Sequence, residues 1–555
     1  MLVTAASAHA APGPLGTSGG LASGTPLTAP APWKVTEAQA KAAARRVPKI
    51  AAELRRYPKA SVSTLRKDGR WVVQAFTAGK DRKQIIEVYV DPYSGAVTEA
   101  WTGPQVAWGM ARGYPGAFGR SVNSPWIWIT LCALFVVPFL DVRRPLRLLH
   151  LDLLMLAGFS VSLAFFNDAN LGLSVPLSFI PLAYLAVRLA YIGLRRSPGP
   201  PPPLRLLIPW QALALLTLFL VGLRIGLNMI DGNVIDVGYA GVIGADKLAH
   251  GRELYGAFPN DNAQGDTYGP LLYLAYVPFE LVWPWVGRWN DLPAAHAAAG
   301  AFDAACVVLL FLIGRRIRGT QLGVVLAYAW VAFPFTIYAT NSGTNDALPA
   351  ALVLAAIYLA GRPFARGALG MAAGMTKLAP LALLPLLASH DLRRGAVARR
   401  LGLFLAGAGI VAAIAAALVL WRTDPQTFWD RTVAYQAGRE APFSVWGYYG
   451  GAWETAQQIV QLGLVVFAVA VAFVPRRDDL VGLAALSGVI LVGTQLAATY
   501  WFYLYLVWAV PLALIAFLGR LPEPGYEPVS SPAWEPGTAA APARSPQPVA
   551  APSSG

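Results

Sequence analysis

A cluster of ionisable residues follows one of the most apolar stretches of the chain. The segment NVIDVGYAGVIGADKLAHGRELYG (233–256) comes just after an apolar run that ends at Ile230, and it carries acids and bases that include Asp236, Asp246 and Arg252. A carboxylate within reach of a hydroxyl can take its proton as a general base, and cations can stabilise charge on a departing group. Alternatively, the acids are ordinary loop residues or helix N-caps.

The composition predicts that the body holding these residues lies in a membrane. Of 555 residues, 56% are hydrophobic and only 13% are charged, and several windows of about 20 residues lack any charge, which is enough to cross a bilayer. We therefore expect a mainly α, polytopic membrane protein of about 12 to 13 transmembrane helices. Cys132 and Cys306 fall in apolar spans and the five histidines are scattered, so no disulfide framework, metal or cofactor is expected.

The net charge of +14 does not indicate a nucleic-acid surface, because the arginines and lysines are concentrated in short connections between spans. These connections are 141–147, 194–199, 314–319, 391–400 and 474–479. Cytoplasmic loops carry such an excess of basic residues. The pattern predicts a multi-pass protein of the cell membrane, with residues 1–123 and the ionisable loop outside and the C-terminus inside.

Five parts of the chain differ in composition. We expect a truncated signal peptide and linker, a small α+β extracytoplasmic domain, three additional transmembrane helices, a larger transmembrane module and a disordered cytoplasmic tail. Their predicted bounds are 1–34, 35–104, 124–200, 205–520 and 521–555. We interpret 269–287 as a helix on or dipping into the outer leaflet, because its prolines and tryptophans suit an interface.

The small domain starts at a capping box formed by Thr36 and Gln39, followed by a helix that is broken or shifted near Pro48. Residues 69–79 and 83–101 then alternate as strands around turn residues. The ending, with Val88, Val90, Asp91, Ser94, Gly95 and Val97, resembles that of PepSY domains. We interpret residues 91–95 as a turn without chemistry.

The predicted topology gathers polar residues on the outer face. It receives the loops 231–268, 339–350, 422–451 and the aromatic corner 498–505. Asp231 is expected to be held by a neighbouring asparagine, Asn228 or Asn233. Asp303 and Arg224, which lie in two different spans, are expected to form a structural pair.

The layout of the first outer loop resembles that of the C superfamily of glycosyltransferases, especially the polyprenyl-phosphate-mannose-dependent glycosyltransferase family 87. Its pattern D-x-x-x-Y-x-x-A…G-x-x-x-Y appears here as Asp236, Tyr239, Gly251 and Tyr255, with a different first spacing. The family's Tyr-Pro-Pro element appears as Tyr268-Gly269-Pro270, with glycine in place of the first proline. The resemblance extends diffusely over residues 206–519.

The order of motifs continues to the C-terminus, with Asn345-Asp346, a Gly-rich segment ending at Lys377 and the pair Tyr503 and Pro511. The resemblance implies an inverting transferase that moves mannose or a pentose from a polyprenyl-phosphate donor to a lipid, glycan or protein acceptor. We expect Asp236 to be the base and Asp346 a second catalytic acid. The expected donor-binding residues are Lys377, Arg252, Arg439, Tyr268 and Tyr503. Lys377 is expected to contribute more to donor binding than Arg439, because a buried lysine in this hairpin would otherwise lack a counter-charge.

Structural interpretations of the three cations, and other functions for the whole protein, also remain open. Arg252 and Arg439 are alternatively ordinary arginines exposed to solvent. Lys377 is alternatively a lysine whose side chain extends to the membrane interface, although placing a lysine in an apolar hairpin is energetically costly. A lipid or sugar transporter is one rival for the whole protein. A PepSY-bearing membrane sensor without enzymatic activity is another.

Overall fold

The computed structural model describes residues 32–519, except 68, 80–83, 104–105, 107–117, 196–205, 290, 393–395, 440 and 476–478. The predicted signal segment before residue 32 and the predicted cytoplasmic tail lie outside the described residues. Several of the basic connections are described only in part.

A capping box begins the first helix. The Thr36 hydroxyl accepts a hydrogen bond from the Gln39 amide, and the Gln39 side chain accepts one from the Thr36 amide at 2.8 Å. The predicted break near Pro48 is confirmed, because α1 (Glu37–Arg46) ends before Val47 and Pro48 opens α2 (Pro48–Arg56). Proline suits this position, since the first turn of a helix needs no amide donor.

Four antiparallel strands complete this domain in the order β1-β2-β3-β4. They are β1 (Ser61–Lys67), β2 (Arg70–Phe76), β3 (Gln84–Val90) and β4 (Val97–Thr102). Strand β1 was not predicted. Asp91 is a turn residue, because its carboxylate accepts hydrogen bonds from the amides of Tyr93 and Ser94. The predicted α+β domain is therefore confirmed.

Seven helices of the described chain are long and apolar enough to cross a membrane. They are α4 (Leu148–Asn167), α5 (Leu171–Leu194), α6 (Trp210–Asp231), α9 (Pro293–Arg318), α15 (Val397–Leu420), α19 (Glu454–Phe473) and α20 (Leu480–Ala497). An eighth span is formed if α10 (Thr320–Ala332) and α11 (Pro334–Asn341), which meet at 59°, are counted together. The proline at the start of α11 breaks the helical hydrogen bonds there.

Other predicted spans are shorter apolar helices. These helices are Pro125–Phe139, Ala347–Tyr358, Ala379–Ser389 and Tyr503–Gly519. We name their α-helical parts α3 (Pro125–Val136), α12 (Ala347–Tyr358), α14 (Leu384–Ser389) and α21 (Leu506–Gly519). The architecture is the predicted mainly α, multi-pass one, but fewer helices have full spanning length than the predicted 12 to 13.

Further short helices lie between the spans. They are α7 (Asp236–Ala249), α8 (Pro270–Glu280), α13 (Pro363–Gly374), α16 (Pro425–Trp429), α17 (Tyr435–Gly438) and α18 (Val445–Tyr449). Helices α7 and α8 pack closely, because Gly241 and Gly244 leave room for the rings of Tyr276 and Tyr273. This packing fixes the direction of α7.

The predicted pair of Arg224 and Asp303 is confirmed. The guanidinium of Arg224 donates to both carboxylate oxygens of Asp303, with Nε at 3.0 Å from Oδ2. Trp330 also donates to Asp303 at 2.9 Å, and Thr336 accepts from Arg224 at 3.0 Å. These charges are buried and mutually satisfied, which is the condition for a stable ion pair away from water.

Candidate active site

Two corners of the chain that the sequence predicted to face outward, one at 231–236 and one at 339–346, meet backbone to backbone. The amides of Asn233 and Ile235 donate to the carbonyls of Asn341 and Ser342 at 3.0 and 3.1 Å. The approach requires Gly238, because a Cβ at that position would collide with a backbone carbonyl of the second corner. The contact brings the start of α7, where Asp236 lies, beside the start of α12, where Asp346 lies.

A second glycine places the loop that carries Lys377. The amides of Gly269 and Leu271 donate to the carbonyls of Thr376 and Met375, both at 3.1 Å. A Cβ at Gly269 would collide with the Met375 carbonyl. Glycine is therefore required at this place by the close approach of two backbones, which explains the departure from the Tyr-Pro-Pro element.

Lys377 and Asp346 form a buried ion pair. The ammonium of Lys377 contacts Oδ1 of Asp346, and the indole of Trp508 donates to the same oxygen at 2.9 Å. The sequence interpretation relied on Lys377 lacking a counter-charge, and that premise is wrong. Contacts from two distant segments of the chain thus occupy Oδ1 of Asp346, so this oxygen is poorly placed to take a proton from a substrate.

Aromatic rings surround the two cations of this region. The Lys377 ammonium lies 5.3 Å from the centroid of the Trp508 ring and 5.4 Å from that of Tyr268. The Arg439 guanidinium lies 3.5 Å from the centroid of the Tyr500 ring. Among the described residues, Arg439 has no carboxylate within ion-pair distance. Its charge is thus held by a ring face and is left available to an anion.

A cavity of about 270 Å³ lies between these groups. Both cations line it, together with Tyr268, Tyr500 and Tyr505. Its other walls supply amides and hydroxyls: Thr267, Gln436, Gln461, Thr494, Gln495 and Thr499. Burial raises the pKa of Tyr268 and of Tyr500, so both phenols remain neutral hydrogen-bond donors. The cavity can bind an anion next to a polyhydroxylated group.

Asp236, at the first position of α7, is not among the residues that line this cavity, but its carboxylate interacts electrostatically with two that do, Arg439 and Lys377. Its side chain reaches solvent, but protein surrounds it closely, and the resulting loss of hydration raises the pKa of the carboxyl, while the positive charge of Arg439 opposes that shift. Its carboxylate accepts a hydrogen bond from the Val237 amide. In the described part of the chain, Asp236 has no ion-pair partner at contact distance. A carboxylate of this kind can act as a base.

The structure therefore brings five of the seven predicted site residues together: Asp236, Asp346, Lys377, Arg439 and Tyr268. It does not bring the other two. Arg252 is half-exposed and pairs with Asp246 at the far end of α7, about 15 Å along the helix axis from Asp236, at 1.5 Å of rise per residue. The Tyr503 hydroxyl is buried in the core against Ser162 and Ser174 at 2.6 and 2.9 Å.

The contacts of Asp231 differ from those predicted from the sequence. Neither neighbouring asparagine side chain binds its carboxylate in the described contacts. Instead, the Ser121 amide donates to Asp231 Oδ2 at 2.9 Å, and the Ser121 hydroxyl donates to the same oxygen. Asp231 is therefore tied to a segment more than 100 residues earlier in the chain.

Some residues that shape the site were missed in the sequence. Arg431 pairs with Asp266, with Nε 2.8 Å from Oδ2, and so fastens the loop 422–451 to the loop before α8. Trp508 had no motif to mark it. The aromatic corner 498–505 was singled out, but Tyr500 and Tyr505, rather than Tyr503, are the members that face the cavity.

The fold and site define a class: a multi-pass helical membrane protein with acids, cations and aromatic rings gathered around one cavity among its connecting loops. Residues 267–499 match the model of glycosyltransferase family 87, which is one of the C superfamily. The match supports a membrane glycosyltransferase. A search of curated proteins found no match.

The matched residues are a narrower part of the chain than the 206–519 of the sequence resemblance. They include Asp346, Lys377 and Arg439, whereas Asp236 precedes them. The match does not extend to the N-terminal domain, so its PepSY-like character stays a prediction. Within the described residues, no group of three His, Cys, Asp or Glu side chains is arranged to hold a metal ion.

Proposed function

We propose that this protein transfers a sugar, mannose or a pentose, from a polyprenyl-phosphate donor to a hydroxyl of an extracytoplasmic lipid, glycan or protein acceptor. The observation that carries the proposal is the separation of roles between the two acids. Asp346 is neutralised by Lys377, whereas Asp236 has no ion-pair partner in the described chain and lies near Arg439.

Arg439 is the proposed principal ligand of the donor phosphate. Its guanidinium is stacked on Tyr500 and lines the cavity. A planar guanidinium binds phosphate oxygens through two parallel hydrogen bonds. Lys377 has a secondary part, since its charge is shared with Asp346. The amides of Gln436 and Gln461 are the proposed partners of the sugar hydroxyls.

The reaction is a single displacement with inversion. The acceptor oxygen forms a bond to the anomeric carbon while the bond from that carbon to the phosphate oxygen breaks. The electron pair leaves with the polyprenyl phosphate, whose charge Arg439 stabilises, and the acceptor proton moves to Asp236. The raised pKa of Asp236 makes it a stronger base than an ordinary aspartate.

The test uses the purified full chain in lipid vesicles with a panel of radiolabelled polyprenyl-phosphate sugars. Wild type should transfer label to an acceptor. Asp236→Asn keeps the shape of the side chain but cannot accept a proton, so the rate should fall about a hundredfold to ten-thousandfold with donor binding retained. Asp246→Asn is the matched control on the same helix and should stay within a few fold of wild type, since Asp246 contacts Arg252 and His250 only at the far end of α7.

Two outcomes would contradict the proposal. Movement of the labelled lipid across the vesicle membrane without a glycosylated product would favour the transporter interpretation. Near-normal transfer by Asp236→Asn, with a folded but inactive Asp346→Asn, would assign the base to the second corner.

The orientation of the site is part of the proposal. The basic connections support a cavity that faces outward and a C-terminus inside the cell. Reporter fusions at Gly199 and Gly319 should both indicate the cytoplasm, and an external signal from either would reverse the scheme from that point.

A further inference from the structure

Residues 118–194, which form a short connecting segment, α3, α4 and α5, lie outside the family match. They nevertheless contact the site loops directly. The segment 118–124 leads into α3, and we name this segment the strut. The Ser121 amide and hydroxyl both bind Asp231, and the Gly119 carbonyl accepts a hydrogen bond from the Asn341 side chain at 2.8 Å.

Each contacted residue is close in sequence to a proposed functional residue. Asp231 precedes Asp236 by five residues, and Asn341 precedes Asp346 by five. The side chain of Asn341 also lies 3.3 Å from the Asp231 carbonyl, so the strut, the first corner and the second corner share one set of hydrogen bonds.

The two corners are themselves bound together beyond the strut. Besides the backbone contacts already described, the Asn345 side chain donates to the Val237 carbonyl at 2.8 Å. Hydrogen bonds therefore connect the strut, through the two corners, to the residues on either side of Asp236 and Asp346.

A further contact ties the additional helices to the aromatic corner. The Tyr503 hydroxyl bonds to Ser162 on α4 and to Ser174 on α5. Its neighbours Tyr500 and Tyr505 line the cavity. Helices α4 and α5 thus contact the aromatic corner on the side that faces away from the cavity.

We propose, on the basis of the proposed function, that the strut and the helices α3–α5 position the active site, and that Ser121 is a positioning residue for Asp236. The backbone of the strut packs closely against Tyr338 of α11. Gly119 has a φ of 77°, and a Cβ there would lie 2.6 Å from the Tyr338 ring. Only glycine combines that backbone conformation with that approach.

The test compares Ser121→Ala with two matched variants. Ser121→Thr keeps the hydroxyl, and Ser160→Ala removes a hydroxyl of α4 that contacts the Cys132 thiol at 3.4 Å rather than a site loop. Ser121→Ala should lower kcat roughly ten- to hundredfold through misplacement of the base, with little change in the KM for the donor. Ser121→Thr should recover most of the rate, and Ser160→Ala should behave as wild type.

Hydrogen exchange separates this inference from the proposed reaction. In Ser121→Ala, the amides of 233–237 and 341–346 should exchange faster while those of α19 do not change. If wild type transfers no sugar but this exchange response appears, the reaction is wrong and the positioning contact holds. If the exchange and kcat of Ser121→Ala both equal those of wild type, the positioning inference is overturned.

Discussion

The guanidinium of Arg439 lies 3.5 Å from the centroid of the Tyr500 ring, face on and beside the cavity. This arrangement differs from that of Lys377, whose charge is matched by Asp346. The two cations of the site therefore have different roles, which substitution can separate.

Arg439→Met should weaken donor binding, raising KM roughly tenfold or more, because hydrogen bonds to a charged group contribute about 1.5–3 kcal/mol. Lys377→Met should instead lower stability by about 3–5 kcal/mol, since it leaves a buried carboxylate unpaired. This order is the reverse of the sequence prediction, which gave Lys377 the larger part in donor binding. Donor titrations and thermal unfolding measure the two effects, and adding Asp346→Asn to Lys377→Met should restore much of the lost stability.

The transfer rate should depend on the ionisation of Asp236. The protein that closely surrounds this carboxyl reduces its hydration and raises its pKa above the usual value of 3.8, and a base works only when it is ionised. The rate should therefore fall as the pH is lowered through this raised pKa, at a higher pH than for an ordinary aspartate. A pH–rate profile that stays flat down to pH 4 would contradict Asp236 as the base.

The raised pKa of Asp236 also predicts how the variant Asp236→Asn affects stability. A carboxyl whose pKa is raised on folding stabilises the fold at low pH, and that contribution is lost as the pH rises through the raised value. At neutral pH the ionised carboxylate is thus unfavourable in the folded state. Asp236→Asn should unfold at a temperature no lower than wild type, although it transfers sugar slowly; a large loss of thermal stability would point to a structural role.

Gly269→Ala should disturb the loop that holds Lys377. The added Cβ collides with the Met375 carbonyl, so the two backbones must separate, and both thermal stability and donor affinity should fall. Gly226→Ala on α6 is the control, because a Cβ there meets nothing within 4 Å, and it should stabilise the helix by about 0.5–1 kcal/mol. Equal behaviour of the two variants would show that the contact at Gly269 is unimportant.

Arg224→Met should destabilise the helical body, by about 3–5 kcal/mol, because Asp303 is left buried without its partner. Thermal unfolding in detergent measures the loss. The double variant with Asp303→Asn removes the charge altogether and should recover most of it. A single variant as stable as wild type would mean that water reaches Asp303.

Local rules predicted several features of the fold well. Thr36 and Gln39 signal a helix start through their spacing alone, and the apolar runs mark the helices without any knowledge of packing. Arg224 and Asp303 could be paired because charges inside apolar helices need partners. In each case the information lies within one helix or in a simple rule about burial.

The contacts of the site were harder to predict because they join distant segments. Asp346 is 162 residues from Trp508, and Asp231 is 110 residues from Ser121. Neither Trp508 nor Ser121 stands out from the many other tryptophans and serines of the chain. Within the aromatic corner, Tyr503 and Tyr505 have the same chemistry, and only the packing of the surrounding helices decides which one faces the cavity.

The buried carboxylate of Asp346 also has a consequence for biosynthesis. Its partners Lys377 and Trp508 follow it by 31 and 162 residues, and a ribosome adds about 5–20 residues per second. Asp346 therefore emerges seconds before its counter-ion and longer before the indole that completes its contacts. Because an unpaired acid is costly inside a bilayer, we expect this corner to stay at the aqueous edge of the membrane until Lys377 and then α21 have been synthesised.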